Sequence, residues 1–234
     1  MIMHYAVNTL PVGVLGASGY AGRELCSLIA RHPRFSLAFA TANEQRGQSL
    51  RLGGQTVTFA APDDVVLSSA ALVFCALPHG ASLPWVERAR EAGAKVVDLS
   101  SDLRPGHGAV GVPYGMPELG DEARRAIGGA DVVANPGCYP TSILLALAPL
   151  LSADLVRGGS TIVANSASGV TGAGNSPKRE LLFAELAEDF RAYGVGNAHR
   201  HLNEMRAVMG SCALPWKTSL PSNCARNSSS CRCG

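Results

Sequence analysis

The chain has 234 residues, of which 47% are apolar and 16% charged, with a formal net charge of +2. That length holds one large domain or two modest ones, and the composition excludes a disordered tail as the whole chain. The charge is too small for nucleic acid or an anionic membrane as main partner, and the most continuous apolar stretch, Ile143 to Leu151, contains Pro149 and is too short to cross a bilayer.

Met1 to Leu10 lacks the basic end and apolar run of a secretory signal, so a cytoplasmic protein is expected. Pro11 to Leu15 reads as a first strand and runs into Gly16-Ala-Ser-Gly-Tyr-Ala-Gly22. Arg23 to Arg31 then places Leu25, Leu28 and Ile29 on one helical face, and Pro33 stops it. Phe35 to Ala40 reads as the second strand. Short apolar runs at Leu72–Leu77, Lys95–Leu99 and Asp131–Ala134 follow, with a helix at Ser82–Ala92 closed by Gly93. Strands alternating with helices predict an α/β fold, a doubly wound parallel sheet up to about residue 135. Pro140 to Leu151 reads as an apolar helix with proline at its start. Ser160 to Ala167 reads as a strand, Ser168-Gly-Val-Thr-Gly-Ala-Gly174 as a glycine-rich loop, and Pro177 to Arg191 as a helix. Beyond about Gly210 periodicity ends. The expected division is 1–135 as a dinucleotide-binding domain, 136–210 as an incomplete α+β catalytic and substrate domain, and 211–234 as an irregular, non-native tail.

The glycines at 16, 19 and 22 stand between a predicted strand and a predicted helix. Glycines there permit a tight turn, and the helix N–H groups face a pyrophosphate. The end of the second strand, Phe39-Ala-Thr-Ala-Asn43, has no carboxylate in the place where an NAD enzyme holds the ribose 2′-hydroxyl. Arg46 lies close behind, which favours the 2′-phosphate of NADP(H). Cys138, in Asn135-Pro-Gly-Cys-Tyr-Pro-Thr141, falls directly before the apolar helix, where the positive end of the dipole favours a thiolate nucleophile. Cys26 and Cys75 read as packing. His199 and His201 are candidate acid/base groups, and the Gly137–Tyr139 backbone is a candidate oxyanion site. The tail cysteines lack paired C-x-x-C spacing, so no metal is expected.

Taken in order, residues 16–22, Leu77-Pro-His-Gly80, Asp98-Leu-Ser-Ser-Asp-Leu-Arg104, Tyr114-Gly-Met-Pro-Glu118, residues 135–141, residues 168–174 and His199-Arg-His201 carry a resemblance. The set resembles the N-acetyl-gamma-glutamyl-phosphate reductases of arginine biosynthesis, over about residues 11–205. Aspartate-semialdehyde dehydrogenase and glyceraldehyde-3-phosphate dehydrogenase are the wider fold relatives. The resemblance implies a Rossmann-type domain followed by a substrate and dimerisation domain. It also implies NADPH-dependent reduction of N-acetyl-glutamyl 5-phosphate to the 5-semialdehyde and phosphate, through a cysteine thioester. Cys138 would be the nucleophile and His201 the acid/base, with His199 the alternative. Gly16, Ser18, Gly19, Tyr20, Gly22, Thr41, Arg46, Pro78, Ser168 and Gly169 would hold the cofactor. Arg104, Asn135, Thr171, Gly172 and Glu204 would face a small-molecule acyl phosphate, and a complete chain would be a homo-oligomer.

Two positions depart from the family pattern: Asn203 stands where proline is usual, and Asn175 where arginine is usual, with Lys178 and Arg179 close by. Family members also continue past this chain's pattern, so a truncated or frameshifted end is expected. The alternatives are another acyl-phosphate reductase, such as an aspartate-semialdehyde dehydrogenase, and a cofactor-binding fragment without catalysis.

Overall fold

A computed structural model describes residues 9–157, 160–189, 193–194 and 199–211. In chain order, β1 (Leu10–Leu15), α1 (Tyr20–Arg31) and β2 (Phe35–Ala40) form the first unit. A hairpin of β3 (Ser49–Leu52) and β4 (Gln55–Thr58) follows, then β5 (Leu72–Cys75), α2 (Leu83–Glu91) and β6 (Lys95–Asp98). α3 (Asp121–Gly129), β7 (Val132–Ala134), α4 (Cys138–Ser152), the single turn α5 (Phe183–Leu186) and α6 (His201–Ser211) complete the elements.

The sheet has five strands in the order β2-β1-β5-β6-β7, every pair parallel. Its interior strand β1 explains the sequence pattern. Val12, Val14 and Leu15 of β1 are all fully buried, because apolar side chains cover both faces of the sheet. One core joins Val12, Val14, Cys26, Ile29, Val57 and Phe59, contributed by β1, α1 and the hairpin region. The other joins Leu15, Val73, Val86, Ala89 and Val96, contributed by β1, β5, α2 and β6. β1 and β5 are neighbours from which the chain winds outward in opposite directions, so their C-terminal ends open the crevice where α/β sheets bind ligands.

α4 and α6 pack together through Tyr139, Ile143, Leu202 and Met205. α4 begins at Cys138, two residues earlier than expected. Pro140 is therefore its third residue, still within the first turn, where a missing N–H breaks no helical bond.

Two expected elements are absent. Ser160 to Ala167 forms no named strand: a parallel strand exists through ladder bonds to a neighbour, and no strand of the sheet pairs with it among the described residues. The helix expected from Pro177 is reduced to a 3₁₀ turn at Arg179–Leu181 and the one turn of α5. Its apolar side finds little to cover it. Phe183 is 87% and Leu182 50% exposed, and Glu188 turns to φ 59°, so nothing offsets the cost of a short isolated helix. The expected tail at 211–234 lies outside the described residues apart from Ser211, which ends α6.

Candidate active site

At the mouth of β1 the chain turns at Gly16, with φ 79°, a conformation that a side chain disfavours. A Cβ at Gly22 would lie 2.3 Å from the Gly16 carbonyl oxygen, so helix and turn touch backbone to backbone. A Cβ at Gly19 would meet only that same oxygen, at 3.8 Å, and otherwise point into open space. Gly19 caps α1 with no side-chain hydrogen bond, and the first turn carries no acidic residue. A turn closed on its protein side and open over uncapped helix N–H groups fits a dinucleotide pyrophosphate. Gly22→Ala is expected to destabilise the chain by about 1–3 kcal/mol, the usual cost of overpacking, and to weaken dinucleotide binding. Urea unfolding and nucleotide titration check this; unchanged values for both would contradict it.

Thr41 sits beneath this turn. It is fully buried, its hydroxyl accepts a bond from the Gly16 N–H at 3.3 Å, and its carbonyl accepts from the Ala17 N–H at 2.7 Å. It shapes the turn from below. Tyr20, Arg46 and Pro78 are exposed around the same edge, and the Ser18 carbonyl accepts a 3.3 Å bond from the Asn175 amide. That bond ties the glycine-rich loop after residue 168 to the first glycine turn.

The Leu77–Ser82 segment beyond β5 is pinned by two carboxylates that the motif reading left without a role. Asp102 accepts from the N–H groups of Gly80 and Ser82 at 2.8 and 3.2 Å. The fully buried Asp98 accepts from the Ser82 and Ser100 hydroxyls.

Cys138 is exposed and is the first residue of α4, whereas Cys26 and Cys75 are buried, with thiols pushed up to about 11 and about 12 by burial. Gly137 caps the helix, and space explains why it must be glycine. A Cβ there would lie 2.8 Å from His201 Nε2 and 3.0 Å from Arg104 Nη1. The Gly137 N–H donates to Glu204 Oε1 at 2.8 Å. It is therefore unavailable to an oxyanion, which leaves the N–H groups of Cys138 and Tyr139 in the first turn as the candidates.

Glu204 is fully buried on α6 and also accepts from the Tyr114 hydroxyl at 2.7 Å and faces Arg104 Nη1 at 3.5 Å. Burial pushes the Tyr114 phenol up, and its bond to Glu204 adds to this, so it stays a donor. Arg104, only 4% exposed, spends its other donors on two backbone carbonyls, Asn135 at 2.8 Å and Leu99 at 2.7 Å. Asn135 is thereby fixed by its main chain, and its side chain turns back to the Pro136 carbonyl. Arg104 and Glu204, expected to face substrate, are joined to each other inside the protein and brace the start of α4.

The cleft beside Cys138 measures about 1250 Å³ and is lined by Tyr139, His199 and His201, with Ser168, Gly169 and Gly172 on the loop side. Thr171 lies on the same 3₁₀ turn, Val170–Ala173. Lys178 and Arg200 also line it and supply cations that the buried Arg104 does not. Arg200 stood within the histidine motif, but nothing in its spacing distinguished it from a solvated arginine.

Tyr139, His199 and His201 stack edge-on, with ring centroids 4.7–6.0 Å apart. Neither ring nitrogen of His201 has a hydrogen-bond partner among the described residues. Burial is the main cause that lowers its pKa from 6.5 to about 3, with His199, Arg200, Arg104 and His79 adding to it. His199 is lowered too, by burial and then by Arg200. Both imidazoles are neutral at pH 7. Between pH 3 and 6.5 the unfolded His201 binds a proton that the folded one refuses, so folding stability rises with pH across that window. Wild type is expected to lose more stability than His201→Asn on going from pH 7 to pH 4, measured by urea unfolding. Parallel losses would contradict this.

Two family models match the chain: the semialdehyde dehydrogenase NAD binding domain over residues 11–127, and the semialdehyde dehydrogenase dimerisation domain over residues 138–219. Among curated proteins, an N-acetyl-gamma-glutamyl-phosphate reductase of Magnetococcus marinus is 42% identical over 88% of this chain and 64% of its own length. One of Halorhodospira halophila is 40% identical over 87% of this chain and 64% of its own length. The chain thus spans about 64% of the length of the curated relatives it matches. Among solved structures, aspartate semialdehyde dehydrogenase II of Vibrio cholerae superposes with a TM-score of 0.67 at 21% identity, covering 87% of this chain and 67% of that one, a likeness of fold. A probable aspartate-semialdehyde dehydrogenase of Pseudomonas aeruginosa is 32% identical at a TM-score of 0.53, over 62% of this chain and 43% of that one. With the sheet topology, the glycine turn and both domain models in agreement, the chain belongs to the semialdehyde dehydrogenase family.

Proposed function

We propose that this chain carries the catalytic machinery for reducing N-acetyl-glutamyl 5-phosphate to N-acetyl-glutamate 5-semialdehyde and phosphate with NADPH. The observation that carries the reading is Cys138: an exposed thiol on the first residue of a helix, in one cleft with two neutral histidines. The reductase names of relatives at about 40% identity support the substrate. We divide the chain after residue 135, with the cofactor on the glycine turn and the substrate in the cleft.

In this reading the anionic acyl phosphate, when bound, raises the proton affinity of His201, and its Nε2, which lies against Gly137, then takes the proton of the Cys138 thiol. The thiolate attacks the acyl carbon, the carbon–oxygen bond to phosphate breaks, and a thioester remains on Cys138. When bound, NADPH supplies the hydride that reduces this carbonyl. The Cys138 and Tyr139 N–H groups hold the oxyanion until the carbon–sulfur bond breaks, aldehyde leaves and His201 returns its proton to the sulfur. Lys178 and Arg200 bind the anionic groups of the substrate, and the Ser168–Gly174 loop offers backbone N–H groups beside them. A dimer formed through the second domain is part of the same proposal.

NADPH oxidation is compared with N-acetyl-glutamyl phosphate and with aspartyl phosphate. A kcat/KM at least about 100-fold higher for the acetylated glutamyl compound is expected, a discrimination that contacts to a substrate's polar groups can supply. Equal rates, or preference for aspartyl phosphate, would overturn the assignment.

A further inference from the structure

Arg23 is the fourth residue of α1, directly after the third glycine and one turn past Gly19, whose carbonyl accepts from its N–H at 2.9 Å. Its side chain does not run out into solvent. It crosses to the loop beyond β2, where Nη2 donates to Gln45 Oε1 at 3.1 Å. The guanidinium Nε is shut off from solvent with no hydrogen-bond partner, and Arg23 makes no ion pair among the described residues. A buried charged donor left unpaired is unusual, because such groups are normally satisfied. The place is specific: the end of β2 is where a dinucleotide-binding sheet meets the adenosine ribose, and the start of α1 is where it meets the pyrophosphate. Arg23 bridges the two. Arg46, by contrast, is exposed, with its N–H turned to the Asn43 carbonyl.

We infer that Arg23, parked on Gln45, is the cation that binds the 2′-phosphate of NADPH and sets preference over NADH. The inference rests on the NADPH reading above. Gln45 holds the guanidinium through a neutral amide, so no carboxylate competes with the phosphate for its charge. Arginine's planar fork, once released from Gln45, then turns its two terminal nitrogens to two phosphate oxygens together.

Fluorescence titration of the purified chain with NADPH and with NADH, in wild type, Arg23→Gln and Arg46→Gln, tests this. Arg23→Gln is expected to raise the Kd for NADPH by about 10- to 100-fold, the loss of a charge-assisted contact, and to leave the NADH Kd within about threefold. The retained NADH affinity also reports an intact fold. Arg46→Gln measures the rival cation, and a loss of NADPH affinity smaller than that of Arg23→Gln is expected there. Wild-type preference for NADPH that survives Arg23→Gln overturns this inference alone, as does loss of both nucleotides together or a loss as large or larger on Arg46→Gln. A wild type that binds both nucleotides equally overturns the cofactor reading, and this inference with it.

Discussion

Cys138→Ser is expected to abolish acyl-phosphate reduction, by about 10⁴-fold or more in kcat, while NADPH binds as before. Serine keeps the size of the side chain but is almost never ionised at neutral pH, so the covalent step has no nucleophile. The substitution is structurally mild: Cys138 is exposed and is not among the residues of either sheet core. Stability should therefore stay within about 0.5 kcal/mol of wild type, as for most surface changes. Stopped-flow NADPH oxidation and a binding titration on the same preparation separate chemistry from binding. Turnover within tenfold of wild type would remove the cysteine from the mechanism.

Glu204→Ala should cost more stability than any other single change at the site. The carboxylate is fully buried and accepts short bonds from Tyr114 and Gly137, with Arg104 opposite. Removing one partner of a buried ion pair leaves the other charge stranded, a loss of about 3–5 kcal/mol. Most domains have only about 5–15 kcal/mol in total, so much of this chain should unfold. Glu204→Gln can still accept from Tyr114 and Gly137 and should cost about 1–3 kcal/mol, the penalty for Arg104 alone. Urea midpoints measure both. A Glu204→Ala loss below about 1 kcal/mol would show that the Tyr114–Glu204–Arg104 cluster does not brace the start of α4.

Much of the first domain was legible because its determinants are local. β2 at Phe35–Ala40 has the predicted bounds, and α1 and α2 end where Pro33 and Gly93 predict, but the buried face of α1 runs through Gly22, Cys26 and Ile29 and leaves Leu28 52% exposed. The β3–β4 hairpin carries one local signal, Gly53-Gly54 between Leu52 and Gln55, a two-residue turn whose four-residue strands are too short and too polar to show alternation. α3 escaped because only Ala123 and Ile127 of its nine residues approach the interior before Gly128, too few to show a period. The site's internal wiring could not be read at all. Tyr114, Arg104 and Glu204 are separated by up to 100 residues, and the packing of α6 on α4, on the Gly106 turn and on the Tyr114 segment brings them together. An arginine and a glutamate read one at a time look like substrate ligands. Buried against each other, they brace the start of α4, and among the described residues the cations that line the cleft are Arg200 and Lys178.

The claim on which the mechanism stands is a covalent acyl group on one sulfur. Incubating the protein with N-acetyl-glutamyl phosphate, withholding the nucleotide, and mapping the quenched product by peptide mass spectrometry tests it directly. A hydroxylamine-labile N-acetylglutamyl adduct on the peptide containing Cys138 is predicted, absent from Cys138→Ser. Turnover on adding NADPH with no such adduct, or an adduct confined to another residue, would contradict it.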